Sequence, residues 1–305
     1  MHRSISLAKN NNRRKTRSNR INQGYLFIAP TVILILFLTI YPTFKIFDMS
    51  MHRLNRRTQE ITFVGIDNFV ETFKDPHFHT AFKQTLIFTF FGVIGHMGLG
   101  LALALLLNSK LNQTVERVSR SLILLPWVIS PSVVAILTQL WGHPLISPIA
   151  KILASFGWKG TFTPLGSVDY ALLSIIIINV WQYTPYYMLM ILANLQTLDN
   201  ELIWAAEVDG ANGIQKILYI VMPHIRDVML TFTLYSLVVN AAYFDLIWIA
   251  TQGGPIRVTE VLATYTYRLA FQSLNWNKAS VVGIVLLALS AVLSVIVLSL
   301  MRSDK

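Results

Sequence analysis

The 305-residue chain contains no cysteine. That excludes a disulfide framework, a thiolate metal site and a cysteine nucleophile. Charge is also scarce. Asp, Glu, Lys and Arg together make up 13% of residues, while 54% are hydrophobic. A soluble domain carries roughly a quarter charged residues. A water-soluble enzyme of this composition is excluded, because so much apolar surface could not be hidden in one core. No G-x-x-x-x-G-K-[S/T] loop is present, so nucleotide hydrolysis by that route is not expected of this chain. Neither H-E-x-x-H nor G-x-S-x-G occurs, and the seven histidines are not spaced as metal ligands. No catalytic residue, no metal site and no cofactor held by the chain itself are therefore expected. Acidic residues are missing from the first 24 positions, where Arg3, Lys9, Arg13, Arg14, Lys15, Arg17 and Arg20 stand. Directly before a long apolar run, this basic tail reads as a cytoplasmic anchor and not as a nucleic-acid site.

What is present is long apolar stretches. A spanning helix needs about 20 mostly apolar residues, and six stretches qualify, near 25–47, 81–107, 119–141, 169–194, 226–250 and 279–301. Runs such as Leu99–Leu107 do not alternate, which argues against a barrel. The expected fold is an all-α polytopic membrane protein of six helices. The tail 1–24 precedes one six-helix transmembrane domain over 25–303. The basic tail places the N terminus in the cytoplasm, and an even number of spans brings the C terminus to the same side. The segments near 48–80, 142–168 and 251–278 then face outward. The cytoplasmic segment 195–225 breaks the charge rule, with Asp199, Glu201, Glu207 and Asp209 against Lys216. A protein partner on that loop would explain the departure. Pro126 and Pro131 fall in the third stretch and Pro185 in the fourth, marking bent helices.

Within that loop, Glu201-Leu-Ile-Trp204-Ala205-Ala206-Glu207-Val-Asp209-Gly210-Ala211 can form a short helix stopped by glycine. The stretch resembles the cytoplasmic signature of ATP-binding-cassette importer permeases, E-A-A-x-x-x-G and later I-x-L-P. Ala205, Ala206, Gly210, Ile220 and Pro223 fall on the pattern, while Trp204 replaces the glutamate and Met222 the leucine. Phe244–Pro255, Phe63–Phe69 with Asp75-Pro76, and Tyr265–Phe271 resemble outward-end signatures of the sugar-permease branch. The resemblance covers roughly 25–303 and implies a type I importer bundle in a bacterial-type cytoplasmic (inner) membrane. It also implies a second permease, two ATPase subunits that bind ATP and Mg, and an extracytoplasmic solute-binding protein. Glu201 to Ala211 would then be the helix that docks on an ATPase.

A polar solute needs hydrogen-bonding and aromatic groups inside the bundle. Ser236, Asn240 and Tyr243 are spaced i, i+4, i+7 on the fifth stretch, and Asn179, Gln182, Tyr183 and Tyr186 line the fourth around Pro185. The resemblance adds weight to Ser236, Asn240 and Tyr186, which match residues holding sugar in maltose-type permeases. Asp245 is the one carboxylate well inside a stretch. His96 reads as a polar contact between helices. The competing reading is a self-contained secondary carrier or channel, which few intramembrane charges disfavour. A membrane enzyme would need a catalytic constellation that the sequence lacks.

Overall fold

The computed structural model describes residues 25, 27–54, 58, 60–109, 112–143, 147–157 and 162–302; the basic tail 1–24 lies outside them. Among the described residues, five helices are long and apolar enough to cross a membrane, or six if one sharply bent pair counts as a span. All are helical because lipid offers no partner to backbone amides and carbonyls, so each segment must pair its own.

The first span, α1 (Phe27–Met51), leads into a two-stranded antiparallel ribbon, β1 (His52–Leu54) with β2 (Ile61–Phe63), paired His52 with Phe63 and Leu54 with Ile61. Helix α2 (Asp67–Phe73) follows, then the 32-residue α3 (Pro76–Leu107). Asp75 caps α3, its carboxylate accepting from the His77 amide at 2.9 Å, and Pro76 occupies the first turn, where a missing N–H costs nothing.

The third stretch is not one helix. It comprises α4 (Gln113–Val128) and α5 (Pro131–Trp141), which meet at 92°. Pro126 lies inside α4, whereas Pro131 opens α5. The freed carbonyl of Ile129 accepts from Gln182 Nε2 at 3.0 Å. A short helix α6 (Pro148–Ser155) then precedes α7 (Ala171–Leu195), the most buried span.

Two prolines that look like helix breakers are absorbed by single wide turns. Leu36–Ile40 and Ile217–Val221 are π-turns, each ending two residues before a proline, Pro42 and Pro223. The wider turn shifts the hydrogen-bond register where proline offers no N–H. Pro223 therefore lies inside the fifth span, within the segment 195–225 expected to be a cytoplasmic loop. The fifth span starts at Gly213 and runs to Thr251. It comprises α9 (Gly213–Lys216), the π-turn, α10 (Met222–Ala241) and, after a break at 242–244, α11 (Asp245–Thr251). Helix α8 (Asn200–Val208) stands before it. Helices α12 (Leu262–Tyr267) and α13 (Trp276–Arg302) finish the bundle.

The bundle is organised around α3 against α7. A β-carbon on Gly95 would stand 2.4 Å from Val180 Cγ2, and one on Gly100 would stand 3.1 Å from Tyr187 Cβ and 3.2 Å from the Met188 amide nitrogen. Small residues let membrane helices pack backbone to backbone, where dispersion does the holding. One apolar cluster sits at each end of this contact. Phe88, Ile175, Ile176 and Val180 pack with Leu246 and Ile247 of α11 toward one end. Ala104, Leu107, Met188, Ile191 and Leu195 pack with Val221 and Ile225 toward the other.

Gly95→Leu is expected to lower the thermal unfolding midpoint of the detergent-purified chain, at a cost of about 1–3 kcal/mol from overpacking. Gly98→Leu should leave it unchanged, since a β-carbon there meets nothing within 4 Å. Equal midpoints for both variants would show that the α3–α7 approach does not hold the bundle.

Candidate functional site

Midway along the bundle a cavity of about 100 Å³ opens among α3, α4, α7 and α10. Asn179, Tyr183 and Tyr186 reach it from α7 at i, i+4, i+7, and Asn240 from α10. Tyr243 follows in the break before α11. These five expected residues are brought together. Tyr186 lies within aromatic contact of Trp127 (5.6 Å) and Tyr235 (5.7 Å), and the Tyr243 hydroxyl donates to that of Tyr183 at 3.3 Å. The result is a ring of aromatic faces around a polar floor, with no lysine or arginine among the lining residues.

Three expected residues stand elsewhere. Gln182 is buried, but it lies off the Asn179–Tyr183–Tyr186 stripe and pins the α4–α5 elbow through Ile129. Ser236 is fully buried beneath the floor, bonded to His96 and Asn240, and does not line the space. Asp245 is exposed, because the break at 242–244 turns it into the first residue of α11. Sequence reasoning missed Trp127, Tyr187 and Tyr235, while its reading of His96 as a polar contact between helices is what the structure shows, from α3 to Ser236 on α10. His96 is 1% exposed and sits in the polar floor. Its Nδ1 is 3.1 Å from Ser236 Oγ, and its ring stacks on Tyr187 at 4.7 Å. Gly92 and Gly100, four residues to either side of His96, were the available signal of a helix face pressed against another.

At one end of the bundle, α8 forms the expected short helix. Asp199 caps it, accepting from the Glu201 amide at 2.9 Å. Its far end is a Schellman closure, with the Ala211 amide donating to Ala206 at 2.9 Å and the Gly210 amide to Glu207 at 3.1 Å. Gly210 takes φ +79°, the left-handed turn that this closure requires. Asn212 and Gln215 then cap α9 reciprocally at 2.9 and 2.8 Å, and Lys216 bonds Glu207 at 2.8 Å. This fixes α8 against the start of the fifth span. Trp204, Val208, Ile214 and Tyr219 are left exposed, as are Ala205, Asp209 and Pro223.

The other end is a polar lattice that ties the remaining signatures together. The Tyr265 hydroxyl donates to Asp75 at 2.9 Å. Glu260 is fully buried, accepting from Arg268 at 2.6 Å and Arg257 at 2.9 Å. Arg268 also donates to the Gln252 carbonyl at 2.5 Å and lies 5.7 Å from the Trp248 ring. Gln252, Gly253, Ile256 and Arg257 all have positive φ, so this tight path rests on the Glu260 anchor. Burial pushes the Asp75 carboxyl up, but the His77 amide and the Tyr265 hydroxyl outweigh it and hold the group below the usual carboxylate range. Its contribution is thus present at neutral pH and lost as pH falls through that depressed value.

The family model for "binding-protein-dependent transport system inner membrane component" matches residues 78–303. The chain belongs to that family. It is 30% identical over 282 residues to the probable ABC transporter permease protein YurN of Bacillus subtilis, covering 92% of this chain and 96% of that one. It is 28% identical over 279 residues to the sn-glycerol-3-phosphate permease UgpA of Pectobacterium atrosepticum, covering 89% and 91%. The same identity over 279 residues links it to the sulfoquinovosyl glycerol permease SmoG of Agrobacterium fabrum, covering 91% and 90%. In fold it matches a chain of a bacterial ABC transporter that imports the acidic polysaccharide alginate, with TM-score 0.86 at 22% identity, covering 96% and 99%. The expected all-α importer-permease class is confirmed, and the permease is a transport subunit, not an enzyme. The self-contained carrier or channel is set aside.

Glu260→Gln is expected to destabilise this permease by about 2–3 kcal/mol. It removes the charge facing two arginines, which remain partly exposed and so are not fully stranded. Thermal unfolding in detergent checks this; an unchanged midpoint would show that the lattice is held without the carboxylate.

Proposed function

We propose that this permease forms half of the translocation pathway of an ATP-driven importer for a carbohydrate or related polar solute. The observation that carries the proposal is the mid-bundle cavity. Tyrosine and tryptophan faces suit the C–H faces of sugar rings, and asparagine amides on the floor suit hydroxyls. The assigned pathway residues are Asn179, Tyr183, Tyr186, Asn240 and Tyr243, with Ser236 supporting Asn240.

The proposed partners are a second permease, two ATPases that bind ATP and Mg, and an extracytoplasmic solute-binding protein. Both termini and α8 face the cytoplasm, and the Glu260 lattice faces outward. Residues Glu201 to Ala211 dock on an ATPase, whose closure pushes α8. The Schellman turn, the Asn212 cap and the Lys216–Glu207 pair pass that push into the fifth span, which reaches the cavity at Asn240. Stiffness is what the transmission needs, and three independent ties supply it.

Copurification of the tagged chain from its native membrane should bring an ATPase and a second permease of similar size. A chain that comes out alone and moves solute without ATP would overturn the proposal. Within an assembled complex, Gly210→Val should abolish uptake while Gly210→Asn keeps most of it. The site demands φ near +79° and has open space around a β-carbon. Asparagine tolerates that backbone, and a β-branched residue does not. Equal uptake by the two variants would remove the turn from the coupling path.

A further inference from the structure

At the end of the bundle that carries the Glu260 lattice, a separate cleft of about 510 Å³ opens between β1, α2 and the start of α13. Arg53, Glu71 and Lys278 line it, one from each element. Glu71 stands between the two cations. One carboxylate oxygen accepts from Arg53 Nη2 at 2.8 Å, and the other pairs with Lys278 Nζ at 2.8 Å. The trio therefore sets two positive charges against one negative. Arg53 and Lys278 keep 48% and 20% of their side chains exposed, so both cations remain reachable. A guanidinium has donors on three nitrogens and an ammonium has three. Arg53 engages only Nη2, with Glu71 and Asn68, and Lys278 Nζ engages only Glu71. The remaining donors of both are unspent among the described residues.

Depth decides which anion reaches this cleft. From Val281 to Met301, α13 carries no charged residue, and about 20 such residues cross the hydrocarbon core. Lys278 stands three residues before that run, about 4.5 Å along the axis at about 1.5 Å per residue. The headgroup layer is about 5–7 Å deep on each side of a core about 30 Å thick. Lys278 is therefore at headgroup depth. The neighbouring helix agrees in level, since Ile46 of α1 meets Gly283 and Asn277 bonds the carbonyls of Met49 and His52. The rim is apolar and aromatic. Phe271, Leu274 and Trp276 are exposed, and the Phe271 and Trp276 rings lie 5.1 Å apart, as in the belt of aromatic side chains at a membrane surface.

We propose that this cleft holds the phosphate of an outer-leaflet phospholipid, bound between Arg53 and Lys278, with Glu71 limiting how tightly it is held. Arginine meets phosphate through its planar fork of donors and lysine as a point charge, so the pair suits a phosphodiester. The choice of leaflet follows the orientation proposed above, while the site itself does not depend on the solute pathway. A lipid held here braces the seam where α1 and β1 join α13.

The test uses the copurified importer in nanodiscs of digalactosyldiacylglycerol, a phosphate-free lipid, doped with phosphatidylglycerol. Native mass spectrometry of the released complex reads the phosphatidylglycerol retained. Lys278→Gln and Arg53→Gln should each lower retention about fivefold, the scale of one basic residue at a lipid surface. Lys278→Arg should keep it. Glu71→Gln should raise retention, because it removes the competing carboxylate and leaves both cations. Lys45→Gln, an exposed cation of α1 outside the cleft, should change nothing. A fall in Glu71→Gln matching that in Lys278→Gln would show an ion-pair brace and no lipid site. An equal fall in Lys45→Gln would show diffuse surface attraction. Displacement of the lipid by inorganic phosphate would make this a site for a soluble anion. Unchanged retention in Lys278→Gln with weakened docking of the solute-binding protein would give the cleft to an acidic patch of that protein. Each of these four results overturns the proposal.

Discussion

The approach of α3 to α7 is the constraint on which the rest of the bundle depends. In lipid there is no hydrophobic gain from bringing two apolar helices together, so the contact must come from shape and from polar pairing. Gly95 and Gly100 supply the shape by letting Val180 and the backbone at Tyr187 and Met188 fill the groove. His96, between them in sequence, supplies the pairing by reaching Ser236 on α10. One face of one helix thus sets the distance to its first neighbour and the rotation of its second. The cavity floor lies where those two settings meet.

Elsewhere the backbone departs from regular helix, and each departure is repaired by a different part of the chain. The elbow between α4 and α5 frees the Ile129 carbonyl, and Gln182 answers it from 53 positions away in sequence. The strained turn at 252–257 is held by Arg268, which bonds the Gln252 carbonyl and Glu260 together. Prolines 42 and 223 need no outside help, because a wide turn ahead of each one absorbs the missing donor within the helix. Irregular backbone is therefore of two kinds here, self-repaired where a wide turn precedes a proline and cross-braced by distant side chains at the elbow and at the 252–257 turn.

The spans near 81–107, 169–194 and 279–301 were legible because apolar length alone decides them; α3 and α13 contain the first and last, and α7 matches the middle one with its start two residues later. The helix at Asn200–Val208 and its glycine stop were equally legible, being local chemistry of cap and turn. Asn179, Tyr183 and Tyr186 could be grouped by period because they share one unbroken helix. Gln182 could not be told from them, since only the distant elbow reveals where it points. Asp245 looked intramembrane because the break at 242–244 carries no proline or glycine to announce it. Glu260, the buried carboxylate that matters most at its end of the fold, gave no signal, as its burial is made by two arginines and a left-handed turn assembled from separate stretches.

Helix α1 stands apart from this network, and its most apolar window buries none of its residues against the rest of the chain. Among the described residues, its polar mooring to the rest of the chain is at the ribbon end. There Asn68 bonds the carbonyls of Ser50 and His52 at 2.8 Å, and Asn277 bonds that of Met49 at 3.0 Å. Met49 and Ser50 belong to the last turn of α1, whose carbonyls lack donors from a further turn, and His52 opens β1 just beyond it. The helix is thus an outrigger lashed at one end. Its second half lies along α13, where Ile46 meets Gly283, so the outer part of the bundle and this helix move together while the first half is left to the membrane and its neighbours.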